Sequence, residues 1–160
     1  MNLRSLTLLA AVLLVAACAE TPPNTGAATG TGGAAATTPT VTPGSKEDFV
    51  QNVGDRVFFD FDKSDIKPEG RGTLQKQADW LKKYPNVTVT VEGHCDDRGT
   101  REYNLALGER RATAVKKMLV ALGVANNRIS TISYGKERPA VVGDNEQAWA
   151  QNRRGVTVVN

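Results

Sequence analysis

The stretch Val87-Thr88-Val89-Thr90-Val91 alternates branched apolar and polar residues, and beyond a polar loop Leu105, Gly108, Ala112, Val115, Leu119 and Leu122 recur at spacings of three and four. A period of two is that of a half-buried strand with its valines inward. Spacings of three and four are those of an amphipathic helix, which Gly123 stops. Downstream, Ile129 to Tyr134 and Val156 to Val159 read as two more strands, with a helical turn at Asn145 to Gln151 around Trp149. Upstream, Val57-Phe58-Phe59-Asp60-Phe61 has the β-branched and aromatic content of a strand. Pro68 then opens a helix whose Leu74, Ala78 and Leu81 share a face and which ends before Pro85. Ser45-Lys46-Glu47-Asp48 caps a short helix carrying Phe49, Val50 and Val53. The order β-α-β-α-β-β predicts an α/β (α+β) sandwich with the helices packed on one face of a mixed sheet, and right-handed crossovers over its parallel pairs.

The chain has 160 residues and a formal charge of +3, enough for one ordinary domain with or without tails. Charge is unevenly placed, because before Ser45 only Arg4 and Glu20 are ionic. Aromatics at 6% are sparse for a binder that stacks bases, and the basic residues are dispersed among nearly equal acids, so nucleic acid is not an expected partner. Two cysteines make neither a disulfide framework nor a four-thiolate zinc site.

Residues 1–17 have the layout of an export signal: Arg4 at the start, an apolar run from Leu6 to Val15, then small residues. Leu14-Val15-Ala16-Ala17-Cys18 resembles a bacterial lipobox. That resemblance implies cleavage before Cys18, lipid on its sulfur and new amino terminus, and, with Ala19 rather than Asp next, an outer-membrane destination. Residues 18–45 then form the lipidated cysteine and a flexible tether of Ala, Gly, Pro and Thr, which has too few large apolar groups to offset the entropy of ordering it. Gly30-Thr31-Gly32-Gly33 looks like part of a phosphate loop, but no strand precedes it and no Lys follows. Residues 46–160 are left as the binding domain.

The densest chemistry is Glu92-Gly93-His94-Cys95-Asp96-Asp97-Arg98-Gly99-Thr100, with Tyr103-Asn104 and Glu109-Arg110-Arg111-Ala112 beyond it. Ligands in sheets of this kind gather where strand ends lead into helices. Arg111 borders the apolar stripe of its helix and can lean toward Asp96, whereas Arg110 faces solvent. A carboxylate and a guanidinium flanking one pocket suit a zwitterion, Asp96 taking the ammonium and Arg111 the carboxylate. Equally, the two can pair with each other and merely brace the loop. If they bind ligand, Asp96→Ala or Arg111→Ala each loses binding while leaving the fold intact.

These motifs, with Val57 to Asp62, Ser133-Tyr134-Gly135-Lys136-Glu137 and Asn152-Arg153-Arg154, resemble the OmpA-like family of periplasmic domains over roughly residues 54 to 160. The resemblance implies non-covalent binding of peptidoglycan through the diaminopimelate of its stem peptide, with Asp96 and Arg111 as main ligands. Phe61, Asp62, Asn104 and Leu107 fall where the family lines its pocket, and Arg154 belongs to its Asn-Arg-Arg signature. It further implies membership of the Tol system, with the periplasmic β-propeller TolB as a protein partner, and no cofactor. Cys95 departs from the small Ala or Thr usual in the family, and Asp97 stands where Glu is common.

Two other classes fit the residues less well. A metal at His94-Cys95-Asp96-Asp97 is disfavoured, since consecutive extended residues point to opposite faces and there is no second histidine. An enzyme modifying peptidoglycan through Asp96, Asp97 and Glu92 lacks any mark separating acid from base. A pure protein-interaction module is the remaining alternative.

Overall fold

The structure, a computed structural model, describes residues 41–160; the expected signal, Cys18 and the tether as far as residue 40 lie outside the described residues. Four strands, β1 (Arg56–Phe58), β2 (Val89–His94), β3 (Ile129–Gly135) and β4 (Arg154–Val159), make one mixed sheet in the order β1-β4-β2-β3. Helices α2 (Pro68–Lys83) and α3 (Arg101–Ala121) pack on it and on each other. A short α4 (Glu146–Asn152) joins β3 to β4, and α1 (Lys46–Asp48), continued by a π-helical turn at Phe49–Val53, precedes β1. The expected α/β arrangement of helices on a mixed sheet is therefore the observed one. Only β2 and β3 pair in parallel, and β4 enters between β1 and β2, antiparallel to both.

Local chemistry sets the boundaries. The Thr100 hydroxyl accepts from Tyr103 N at 3.2 Å and starts α3 four residues before the apolar periodicity begins, while Gly123, at φ +98°, follows its end. Strand β2 runs on to His94, through residues expected in the loop, because Gly93 lets helix and sheet close together. A Cβ on Gly93 would lie 1.8 Å from the Gly108 carbonyl oxygen. Strand β1 is shorter than the expected 57–61. Phe59 adds one further rung, its N–H donating to the Arg153 carbonyl at 2.9 Å, and beyond Arg153 the neighbouring chain offers no partner. The chain then turns, and Asp62 adopts φ +58°.

The core lies under the helices. Phe49, Leu74, Leu81, Val89, Val91, Ala112, Val115 and Leu119 are all fully buried. Asp48 closes the domain's entry, accepting from Gly44 N at 2.8 Å and from the Trp80 indole at 2.9 Å. The other face of the sheet shows Phe58 and Ile132 to solvent. None of the described helices is long and apolar enough to cross a membrane.

Candidate functional site

At the carboxyl end of β2, the loop after β1, the loop leading into α3 and the first turns of α3 enclose a cavity of about 170 Å³. Its wall contains Phe61, Asp62, Asp96, Asn104, Leu107 and Arg111, six of the seven residues expected at the ligand. Cys95, Arg98, Gly99 and Tyr103 complete it.

Arg111 is wholly buried. Its Nε donates to the Lys63 carbonyl at 2.8 Å, Nη1 to that of His94 at 2.8 Å and Nη2 to that of Asp60 at 3.1 Å. One guanidinium thus ties the loop after β1 to the end of β2. These bonds use three of its five N–H groups, and the Cys95 thiol lies against the same guanidinium. Burial works against its charge, but arginine stays protonated. This geometry corrects the expectation that Arg111→Ala leaves the fold intact, because the side chain satisfies three carbonyls. It also removes the alternative of a mutual brace: the ion-pair partners of Asp96 are Arg98 at 2.6 Å and Arg153 at 3.3 Å, not Arg111.

Both arginine side chains reach the same oxygen of Asp96, Oδ2, and the backbone N–H of Arg98 also stabilises the carboxylate. Burial pushes this carboxyl up, but the hydrogen bonds from Arg98 and Arg153 outweigh it and hold the group below its ordinary 3.8. Asp62 accepts a short hydrogen bond from the Tyr103 hydroxyl. Asn104 holds the loop in shape, its Nδ2 donating to the Arg98 carbonyl at 2.7 Å and that of Thr100 at 3.0 Å. Leu107, nearly buried, gives an apolar wall, and Phe61 stands 56% exposed at the mouth. The charged wall residues balance: carboxylates of Asp62 and Asp96, guanidiniums of Arg98 and Arg111.

Arg154 is placed elsewhere, a correction to the expectation. It is buried, donating to the carbonyls of Asn152 at 3.3 Å and Arg138 at 3.2 Å. Its neighbour Arg153 faces Asp96 instead, since successive residues entering a strand point to opposite sides. Sequence reasoning also missed Arg98, whose guanidinium lies between the rings of Phe61 and Trp149, 4.0 Å from each. The loop motif contains Arg98, so a signal was there. Arg153 stands in the Asn152-Arg153-Arg154 motif beside the arginine that was expected, whereas nothing local marks Trp149 or Glu146, which arrive from the far end of the chain.

His94, Cys95 and Asp96 have separate surroundings. His94 is buried beside Glu92, 3.4 Å away, and Tyr134. The Cys95 thiol donates to the Asn104 carbonyl at 3.3 Å, and burial raises its pKa, which keeps it protonated. Among the described residues no three His, Cys, Asp or Glu side chains gather as a metal site.

Comparison with known proteins places this geometry. Residues 58–153 match the OmpA family. The chain is 54% identical over 150 residues to the peptidoglycan-associated lipoprotein of Brucella melitensis, covering 92% of this chain and 86% of that protein. It is 54% identical over 149 residues to that of Rhizobium meliloti, covering 92% and 82%. The crystal structure of the peptidoglycan-associated lipoprotein from Burkholderia pseudomallei superposes with a TM-score of 0.68 at 38% identity, over 72% of this chain and all of that one. The C-terminal domain of Helicobacter pylori MotB superposes with a TM-score of 0.62 at 26% identity, over 66% and 84%.

Proposed function

The chain belongs to the OmpA family, among its peptidoglycan-associated lipoproteins, and from that premise we propose that it binds peptidoglycan without covalent attachment and links the outer membrane to the cell wall. The observation that carries the reading is that a buried carboxylate and a buried guanidinium line one cavity without pairing with each other. Arg111 spends three of its five N–H groups on backbone carbonyls, the arginine side chains on Asp96 both go to one oxygen, and both groups are buried and charged. A zwitterionic end group complements both, a carboxylate for the guanidinium and an ammonium for the Asp96 carboxylate. The free end of diaminopimelate in a stem peptide carries both groups on one carbon. The apolar wall of Leu107 and the ring of Phe61 then cover its methylene chain.

Binding without turnover is part of the proposal. Asp96 is held ionised between two arginines, which suits a fixed counter-charge rather than a group that trades protons. In the cell we place the domain on the periplasmic face, anchored through lipid on Cys18, with the residues before Ser45 as the leash. Service in the Tol system beside TolB, supporting envelope integrity and division, completes the proposal.

The test is retention on purified sacculi of the unlipidated chain beginning at Ala19. Wild type is retained, and Asp96→Asn, which keeps the shape and removes the charge, is expected to lose most of the retention, a cost of about 2–5 kcal/mol for an unpaired buried charge. Equal retention of the two removes Asp96 from the site. Steady release of soluble wall fragments overturns binding without turnover.

A further inference from the structure

Behind the cavity, Arg153 is 6% exposed and shared among three elements. Its Nε donates to the Phe59 carbonyl at 3.1 Å, Nη1 to Asp96 Oδ2 at 3.3 Å and Nη2 to Glu146 Oε1, on α4, at 2.6 Å. The backbone repeats the tie, Phe59 N donating to the Arg153 carbonyl. Arg98 reaches the same Oδ2 from the outer side. The two arginines differ in how they are held. Arg98 is partly exposed and lies between two aromatic rings, while Arg153 is buried and fixed at every arm.

We propose that Arg153 is a positioning residue of the binding site: it acts through Asp96, holding Oδ2 together with Arg98 and so fixing how the carboxylate is presented to the cavity, and α4 sets Arg153 through Glu146. The inference rests on the reading of the cavity as a zwitterion site. It assigns a function to the first arginine of Asn152-Arg153-Arg154 and to α4, neither of which lines the cavity. A carboxylate free to rotate offers either oxygen and loses part of its contact to disorder; one clamped through Oδ2 is preorganised.

The charged groups facing Asp96 are Arg98 from its own loop, Arg111 from α3, Arg153 from the start of β4, Glu146 from α4 and Asp62 from the loop after β1. With Arg153 gone, burial of Asp96 is less compensated, so the carboxyl takes up a proton at higher pH. Affinity for a ligand ammonium then fails at higher pH as well.

The experiment measures the affinity of the unlipidated chain for a muramyl tripeptide ending in diaminopimelate between pH 3 and 8. Alongside it, carbon-detected NMR follows the Asp96 carboxyl in the unliganded protein. Arg153→Gln is expected to bind about tenfold more weakly at pH 7, the order of one lost charge-assisted hydrogen bond, with the acid limb of binding and the Asp96 titration both displaced upward. Arg153→Lys keeps the charge but not the fork, so intermediate affinity and a smaller displacement are expected. A folded Arg153→Gln with wild-type titration and acid limb overturns the proposal. Should that variant not fold, wild-type behaviour of Arg153→Lys overturns it and intermediate behaviour supports it. Failure of wild type to bind the tripeptide refutes the reading of the cavity instead, and the Asp96 titration still reports on Arg153.

Discussion

Three carbonyls, those of Asp60, Lys63 and His94, converge on the Arg111 guanidinium, and no other side chain among the described residues serves them. Arg111→Ala takes the charged donor from all three, the Asp60 carbonyl keeping a backbone bond from Lys63 N, so a loss of about 2–3 kcal/mol in urea unfolding is expected. Position and residue type made Arg111 legible in the sequence; its structural duty was not, because the carbonyls come from two other segments. His94 carries a second expectation at this scale. Burial, then the charges of Arg154, Arg138 and Arg56, lower its pKa from 6.5 to about 4, so it is neutral in the fold. The unfolded chain takes up a proton below about 6.5, the native chain only below about 4. The stability involved is therefore complete above pH 6.5 and is lost as pH falls toward 4, about 3 kcal/mol in all. Urea unfolding across that window reads the slope, and His94→Gln is expected to flatten it.

Elements whose identity rests on periodicity were legible: α2, α3 and β3 lie where apolar spacing put them. Their ends depended on other forces. Strand β2 extends to His94 only because Gly93 meets Gly108 of α3 backbone to backbone, and this is the contact that aims the loop at the cavity. A methyl group at Gly93 has no space, since the obstructing atom is main chain. Gly93→Ala is accordingly expected to cost about 3 kcal/mol, the upper end of ordinary overpacking, in thermal or urea unfolding. Little or no loss shows that α3 lifts off the sheet without penalty. Strand β1 illustrates the opposite limit. Its aromatic run continues to Phe61, yet pairing stops after Phe59, and the released chain turns so that Phe61 and Asp62 wall the cavity.

Across residues 41–160, the helical turn before β1 belongs to the folded unit, with Phe49 fully buried and Asp48 bonded to Trp80. A chain beginning at Val41 is expected to unfold in one transition at the Tm of the chain beginning at Ala19. One beginning at Asp55 loses Phe49 and about 3–5 kcal/mol with it, measurable by urea titration. Equal stability of the two shows that the turn is dispensable. The order of residues alone was enough for the kind of each element, the change from a leading segment with only Arg4 and Glu20 ionic to a charged domain, and the loop that carries the ligand chemistry. These are local properties, set by period, composition and cap residues. Tertiary structure alone decided that β4 enters between β1 and β2, that Arg153 rather than Arg154 faces Asp96, and that Asp96 and Arg111 stand across a cavity without pairing. Each depends on partners far apart in sequence, whose competing hydrogen bonds and burial are settled only when the strands close on one another.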